Sequence, residues 1–263
     1  MQFDFSGRTV LVTGSDRNTG AIIAARLAGF GATLVIHSNE TDGRAAQAAA
    51  GLANAASVQG DLATDTGCQA VLEQLSGQDL AVDTLVNNYG TAGFATWQSA
   101  TTDDWLEMYQ KNVLSATRLI QGLIPDMKAR GWGRIVNLGT IGSHRPNAIM
   151  PHYYGAKGAL ATLGASLAQA LDGSGITVNT VSPGLIHTPD LEAGYRARAK
   201  KKGWGDDWED ILAHIVTEEF PNPCRRLATR EEVADLVAFL CSDNAAFING
   251  QNIRIDGGAV NYV

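Results

Sequence analysis

The sequence predicts a doubly wound, parallel α/β sheet of seven strands, and three observations predict it. Short β-rich runs alternate along the chain with longer helical patterns, the order that covers both faces of a parallel sheet with helices. The first of these runs ends in a glycine-containing turn that opens directly into a helical pattern. Finally, 263 residues with 45% apolar side chains suit one large domain over residues 1–263, and no repeat or low-complexity linker divides them.

In order, the expected strands are Thr9–Thr13, Thr33–His37, Ser57–Gln59, Thr84–Asn87, Arg134–Leu138, Thr177–Val181 and Asn252–Ile255. Helical patterns fall between them near 20–29, 42–54, 65–76, 103–129, 153–171 and 230–241. The rhythm is lost only at about 185–226. There Arg196, Arg198 and Lys200-Lys201-Lys202 precede Asp206-Asp207 and Glu209-Asp210. Opposed charge blocks usually form solvated helix faces. An insertion at this place can also form a substrate-binding lid over the strand C-termini.

Charge and composition exclude several partners. A net charge of −7 argues against nucleic acid or an anionic membrane. Cys68, Cys224 and Cys241 lie far apart, so neither a disulfide framework nor a zinc site is indicated. The five histidines are scattered, and no metal is expected. The N-terminal stretch Met1–Phe5 lacks a basic region followed by an apolar run, and no segment reaches transmembrane length; the expectation is a soluble, cytoplasmic protein. No serine is flanked by the two glycines of a G-x-S-x-G elbow, which removes that hydrolase reading.

Two stretches carry chemistry. The first is Thr13-Gly14-Ser15-Asp16-Arg17-Asn18-Thr19-Gly20. A glycine turn between a strand and a helix lets a pyrophosphate approach the backbone, beside the partial positive charge of the helix N-terminus. Asn18 stands where a middle glycine would serve, and Asn tolerates a left-handed backbone. The second runs from Thr140 to Lys157. Residues four apart share a helix face, so Tyr153 and Lys157 can meet one small molecule. A neighbouring ammonium favours the phenolate, lowering the phenol pKa toward neutrality for proton exchange with a carbonyl or alcohol oxygen. Tyr154 is the alternative phenol, turned about 100° from Tyr153.

With these stretches stand Asp61-Leu62, Asn87-Asn88-Tyr89-Gly90, Asn112, Pro183-Gly184 with Thr188, and Ile255-Asp256-Gly257-Gly258. In this order and spacing the chain resembles, over essentially its whole length, a single-domain short-chain dehydrogenase/reductase with a Rossmann-like sheet. The resemblance implies that Tyr153 donates or accepts the proton, that Lys157 depresses its pKa and holds the nicotinamide ribose, and that Asn112 anchors a relay water. Gly14 and Gly20 would lie against the pyrophosphate. Asp61 and Leu62 would contact the adenine, Asn88 would border the adenosine, and Ile186 and Thr188 would face the carboxamide. Ser15, Arg17, Asn18, Ser38, Gly90, Pro183 and Gly184 complete the implied cofactor set.

Three positions depart from that pattern. Besides Asn18, Tyr89 replaces a small residue, and its ring either packs as core or narrows the cofactor groove. The catalytic serine position, thirteen residues before Tyr153, is Thr140, which offers the same hydroxyl with an extra methyl. Ser143 is the fallback. Cofactor choice follows charge: Ser38 takes the place of the carboxylate that binds an NAD ribose, and Arg17 sits where a cation meets the NADP phosphate, so NADP(H) is favoured over NAD(H).

The expected reaction is interconversion of a ketone or aldehyde with an alcohol. The nearest activities by resemblance are 3-oxoacyl-thioester reductases and sugar, polyol and secondary-alcohol dehydrogenases. An NAD-dependent dehydrogenase of the latter kind and a non-catalytic NADP(H) sensor are the alternatives. His144, Arg145, Arg225 and Arg226 are candidates for an anionic substrate, and Trp204 and Trp208 for an apolar pocket or lid packing. A homo-oligomer, tetramer or dimer, is implied by the resemblance.

Overall fold

The computed structural model describes residues 3–262; Met1 and Gln2 of the N-terminal stretch read above, and Val263, lie outside the described residues. Strands β1 (Thr9–Val12), β2 (Thr33–Ser38), β3 (Ala55–Gln59), β4 (Thr84–Asn87), β5 (Gly133–Leu138), β6 (Ile176–Pro183) and β7 (Asn252–Ile255) form one sheet in the order β3-β2-β1-β4-β5-β6-β7. Every pairing is parallel, with Val12 beside Ile36 and Asn87 beside Asn137. The strand order reverses between β1 and β4, which opens a crevice at their C-terminal ends.

Side-chain alternation splits the core in two. Val10, Val12, Leu34, Ile36, Val86, Val136 and Val181 face helices α1 (Asn18–Gly29) and α9 (Arg230–Cys241). Leu11, Val35, Leu85, Ile135 and Val178 face α3 (Asp65–Gly77), α5 (Ser115–Arg130) and α6 (Pro151–Ala170) on the other side. Successive strand residues point to opposite faces, so one β-rich run feeds both cores. Each fully buried Leu, Ile or Val stabilises the fold by roughly 1.5–3 kcal/mol relative to exposure.

The expected helix at 42–54 is shorter, α2 (Arg44–Ala50), with Gly43 at φ +83° before it. The pattern read as one helix over 103–129 is α4 (Thr102–Tyr109), a π-helical turn (Gln110–Leu114) and α5. The wider turn carries Asn112 inward, a feature periodicity does not reveal. Helix α6 lies close to the sheet: a Cβ on Gly164 would stand 3.2 Å from Asn137 Nδ2 and Thr180 Oγ1. Ala156, Gly164 and Ala168 are therefore buried within the chain itself.

Residues 185–226 are helical after all. They hold α7 (Pro189–Lys202), α8 (Trp208–His214) and a second π-helical turn (Ile215–Glu219) around a small core of Ala199, Trp204, Ile211, Ile215 and Val216. Both tryptophans pack within this unit, Trp204 stacked on His214 at 4.9 Å and Trp208 on His187 at 5.2 Å. The basic block pairs with carboxylates outside the Asp206–Asp210 block, Arg196 with Glu192 at 2.7 Å and Arg198 and Lys202 with Glu219 at 2.5 and 2.7 Å. No described helix is long and apolar enough to cross a membrane.

Helix α9 begins with a capping box: Thr229 accepts from Glu232 N, and the Glu232 carboxylate accepts from Thr229 N. Thr229→Ala should destabilise the protein by about 1 kcal/mol, read as a lower urea midpoint at unchanged slope.

Candidate active site

The site is assembled where β1 and β4 part. Thr13, just past β1, accepts from Asn88 N and Tyr89 N on its hydroxyl at 3.0 and 2.9 Å. Asn88 returns the bond, its Nδ2 donating to Thr13 O and Gly14 O. Gly14 adopts φ +59°, and a Cβ on Gly20 would lie 2.3 Å from Gly14 O and 2.6 Å from Asn88 Nδ2. Glycine is therefore required at position 20 by close approach.

The turn fits a pyrophosphate. Helix α1 has no side-chain cap at its N-terminus, leaving its first N–H groups available to an anion. Asn18 sits at φ +50°, the left-handed conformation expected of it, and its Nδ2 donates to Asp190 Oδ2 of α7 at 2.9 Å. Ser15 is not open to a ligand. Its buried hydroxyl donates to Val12 O at 2.6 Å and accepts from His37 N, and its own N–H donates to His37 O at 3.0 Å, which corrects its place in the cofactor set.

His37 was read only as a strand residue, yet it organises the turn. Gly14 N donates to His37 Nδ1 at 3.0 Å, so the ring proton sits on Nε2, which donates to Gly60 O at 3.0 Å. Burial pushes the imidazole down to about 4, and it is neutral at physiological pH. The only sequence signal was a lone histidine ending an apolar strand.

On the adenosine side, Ser38 is buried and its hydroxyl accepts from Glu40 N, with no carboxylate in its place. Arg17 is exposed and has no ion pair among the described residues. Asp16, which would weaken its field, lies 3.7 Å from Arg44, a guanidinium held by Asp42 at 2.5 Å. Asp61 is exposed, but the Leu62 side chain belongs to the core and its N–H donates to Asn39 Oδ1 at 2.9 Å. An adenine contact at Leu62 would be limited to its backbone. Tyr89 packs against the α3/α5 core and meets His37 edge-on at 6.3 Å, which settles its ring as core.

A pocket of about 160 Å³, on the side where the resemblance would place a nicotinamide, is lined by Asn88, Gly90, Tyr153, Lys157, Pro183 and Ile186. Gly90 separates two polar groups: a Cβ there would stand 2.5 Å from Asn112 Oδ1 and 3.2 Å from Lys157 Nζ. Lys157 is buried, donates to Leu138 O at 2.7 Å, and is brought down to about 8 by desolvation. Gly184 leans on the unit of residues 185–226, where its Cβ would meet Phe220 at 2.6 Å. Thr188 caps α7 by accepting from Leu191 N, so only its own O–H remains for a ligand.

Next to this pocket is a cleft of about 760 Å³, lined among others by Thr140, Arg145, Asn147, Tyr154, Asp190 and Phe220. Thr140, two residues past β5, is extended and accepts from Gly142 N, and its hydroxyl draws the Tyr153 pKa down against burial. Ser143 turns back to donate to Thr140 O at 2.7 Å, which removes the fallback.

Two expectations about electrostatics change. Burial, reinforced by Tyr154 and opposed by Thr140, pushes Tyr153 up to about 12; the Lys157 ammonium is directed to Leu138 O, and its expected lowering of the phenol is not what these groups produce. Asn112 has both amide hydrogens engaged, on Thr91 O and Met108 O at 3.0 Å, so its side chain clamps the segment after β4. His144 and Arg226 are occupied elsewhere, by Asn252 and Glu232. His152 is buried against Trp105. Among the described residues no group of three or more His, Cys, Asp or Glu is placed to hold a metal ion.

This arrangement defines a dinucleotide-binding oxidoreductase of the single-domain α/β type. A family model described as enoyl-(acyl carrier protein) reductase matches residues 14–260. The 3-oxoacyl-[acyl-carrier-protein] reductase FabG of Escherichia coli K12 is 31% identical over 255 residues, 97% of this chain and 98% of that protein. The crystal structure of L-sorbose reductase from Gluconobacter frateurii, complexed with NADPH and L-sorbose, matches with a TM-score of 0.93 at 33% identity over the whole of both chains. A 3-oxoacyl (acyl-carrier-protein) reductase from Agrobacterium tumefaciens C58 with NADP bound matches with a TM-score of 0.84 at 31% identity, covering 97% of this chain and 95% of that one. The chain belongs to the short-chain dehydrogenase/reductase family.

Gly20→Ala tests the turn. The added methyl forces backbone apart, so the variant should lose about 1–3 kcal/mol of stability and most of its dinucleotide affinity, measured by thermal unfolding and fluorescence titration.

Proposed function

We propose that the protein is an NADP(H)-dependent carbonyl reductase that interconverts a ketone or aldehyde with an alcohol. The observation that carries this reading is the meeting of Tyr153, Lys157 and Thr140 where the nicotinamide-side pocket adjoins the larger cleft. A bound NADP(H) supplies or accepts the hydride. Tyr153, protonated at neutral pH, hands its proton to the carbonyl oxygen, and the Thr140 hydroxyl holds that oxygen by hydrogen bonding. Lys157 holds the ribose and, once turned from Leu138 O toward it, favours the phenolate that remains. Asn112 holds the segment after β4 by accepting from Thr91 N and donating to Thr91 O.

NADP(H) is supported by the buried Ser38 and by the exposed Arg17, which has no ion pair among the described residues. The NADPH and NADP in the related structures point the same way. Residues 185–226 act as the lid of a single domain, and the bond from Asn18 to Asp190 ties that lid to the cofactor turn. Exposed Leu106, Tyr109, Leu114 and Leu163 offer an apolar face on α4, the π-helical turn and α6 for homo-oligomerisation.

Absorbance assays with NADPH and NADH, over sugar ketones, acyl-thioester β-ketones and simple ketones, test the activity. Turnover with NADPH supports it; tight NADPH binding with no turnover on any class would favour the sensor reading. Tyr153→Phe should lower kcat at least 100-fold while leaving NADPH affinity within about twofold. The pH profile carries a sign. Reduction needs protonated Tyr153, available to about pH 12, and charged Lys157, which is lost above about pH 8. Reductive kcat/KM should therefore be level up to about pH 8 and fall beyond it; a profile that rises through pH 8 contradicts the assignment.

A further inference from the structure

The large cleft carries a second phenol with no role in proton exchange. Tyr154 follows the proton donor directly, and the two rings stand 5.6 Å apart at 51°. Its ring is fixed from below: a Cβ on Gly142 would come within 2.0 Å of Tyr154 Cε1, so the backbone at Gly142 and the ring share one surface. Both residues line the cleft, together with Thr140 and Asn147.

The hydrogen-bond directions at this phenol are determined. Ile149 N donates to Asn147 Oδ1 at 2.9 Å, which assigns the amide oxygen to the backbone. Asn147 Nδ2 then donates to Tyr154 Oη at 3.1 Å. A phenol carries one proton, and here its oxygen is the acceptor. Among the described residues the Tyr154 hydroxyl proton has no acceptor, and the cleft is where one can be supplied. Burial raises its pKa, so the proton is retained at neutral pH.

The geometry points to Tyr154 as a specificity-determining residue, oriented by Asn147, that donates a hydrogen bond to a second oxygen of the substrate beside the reacting carbonyl. The substrate class is then an α-hydroxyketone or similarly oxygenated ketone, rather than a ketone with a plain hydrocarbon chain. Asp190 in the same wall keeps one carboxylate oxygen as an acceptor for a further hydroxyl group, the other taking Asn18, while Glu219 is paired with Arg198 and Lys202. A site built around a donor discriminates against the analogue lacking the oxygen, because the donor is otherwise left unpaired.

This inference rests on the carbonyl-reductase reading, and one experiment separates the two. Initial rates are measured with NADPH on 1-hydroxybutan-2-one and on butan-2-one, for the wild type, Tyr154→Phe and Asn147→Ala. Tyr154→Phe keeps the ring over Gly142 and removes only the hydroxyl. It should lower kcat/KM for the hydroxyketone by about tenfold, mainly through KM, and leave butan-2-one within about twofold. Asn147→Ala should move the same ratio in the same direction by a smaller factor. An equal change on both ketones, or no change, overturns the role of Tyr154 while leaving the reductase intact. Wild-type enzyme that reduces neither ketone, nor any other carbonyl with NADPH, overturns both.

Discussion

Thr13 joins the two halves of the sheet at the point where they separate. Its hydroxyl accepts from two consecutive backbone N–H groups after β4, while Asn88 donates back to the carbonyls of Thr13 and Gly14. Parallel strands end in open backbone at their C-termini, and here that backbone is satisfied by side chains from the neighbouring turn instead of by water. The first turn, the segment after β4 and Gly90 are thereby held in one frame. Everything the site needs hangs from that frame: the uncapped start of α1, the lysine under Leu138 and the phenols of α6.

Buried polar groups do much of the positioning. His37 joins the first turn to β2 and the segment after β3, and its neutral tautomer follows from the donor at one nitrogen and the acceptor at the other. Ser15 closes the same loop from inside. Satisfied groups of this kind are costly to disturb, since removing one partner leaves the other buried and unpaired. Asn112 is held in the same way, and the π-helical turn is the backbone adjustment that brings it within reach of Thr91.

The three departures from the family pattern are each absorbed by local physics. Asn18 accepts the left-handed backbone and uses its amide to reach Asp190 of α7, which a glycine could not do. Tyr89 turns into the core, where an edge-on contact with His37 occupies the space a methyl would leave. Thr140 keeps a hydroxyl that draws the Tyr153 pKa down, and its extended backbone suits a β-branched residue.

The seven strands, their order of appearance and the two chemical stretches were legible in the sequence, because apolar runs, glycine turns and helical spacing are local signals. The pairing of Tyr153 with Lys157 follows from helical spacing and the Gly14–Gly20 turn from its place between a strand and a helix, whereas Asn88 enters only through the family resemblance. What the sequence did not contain is where shared hydrogen bonds go. Ser15 reads as a ligand contact and is an internal strut; Ser143 reads as a second hydroxyl and faces backward; His37 does not stand out at all. Sign was lost too, since the Tyr153 phenol is governed by burial and by a lysine engaged elsewhere. Periodicity is carried by neighbours along the chain and survives in one dimension. Desolvation and hydrogen-bond partnership depend on neighbours dozens of residues away, so only the tertiary structure decides them.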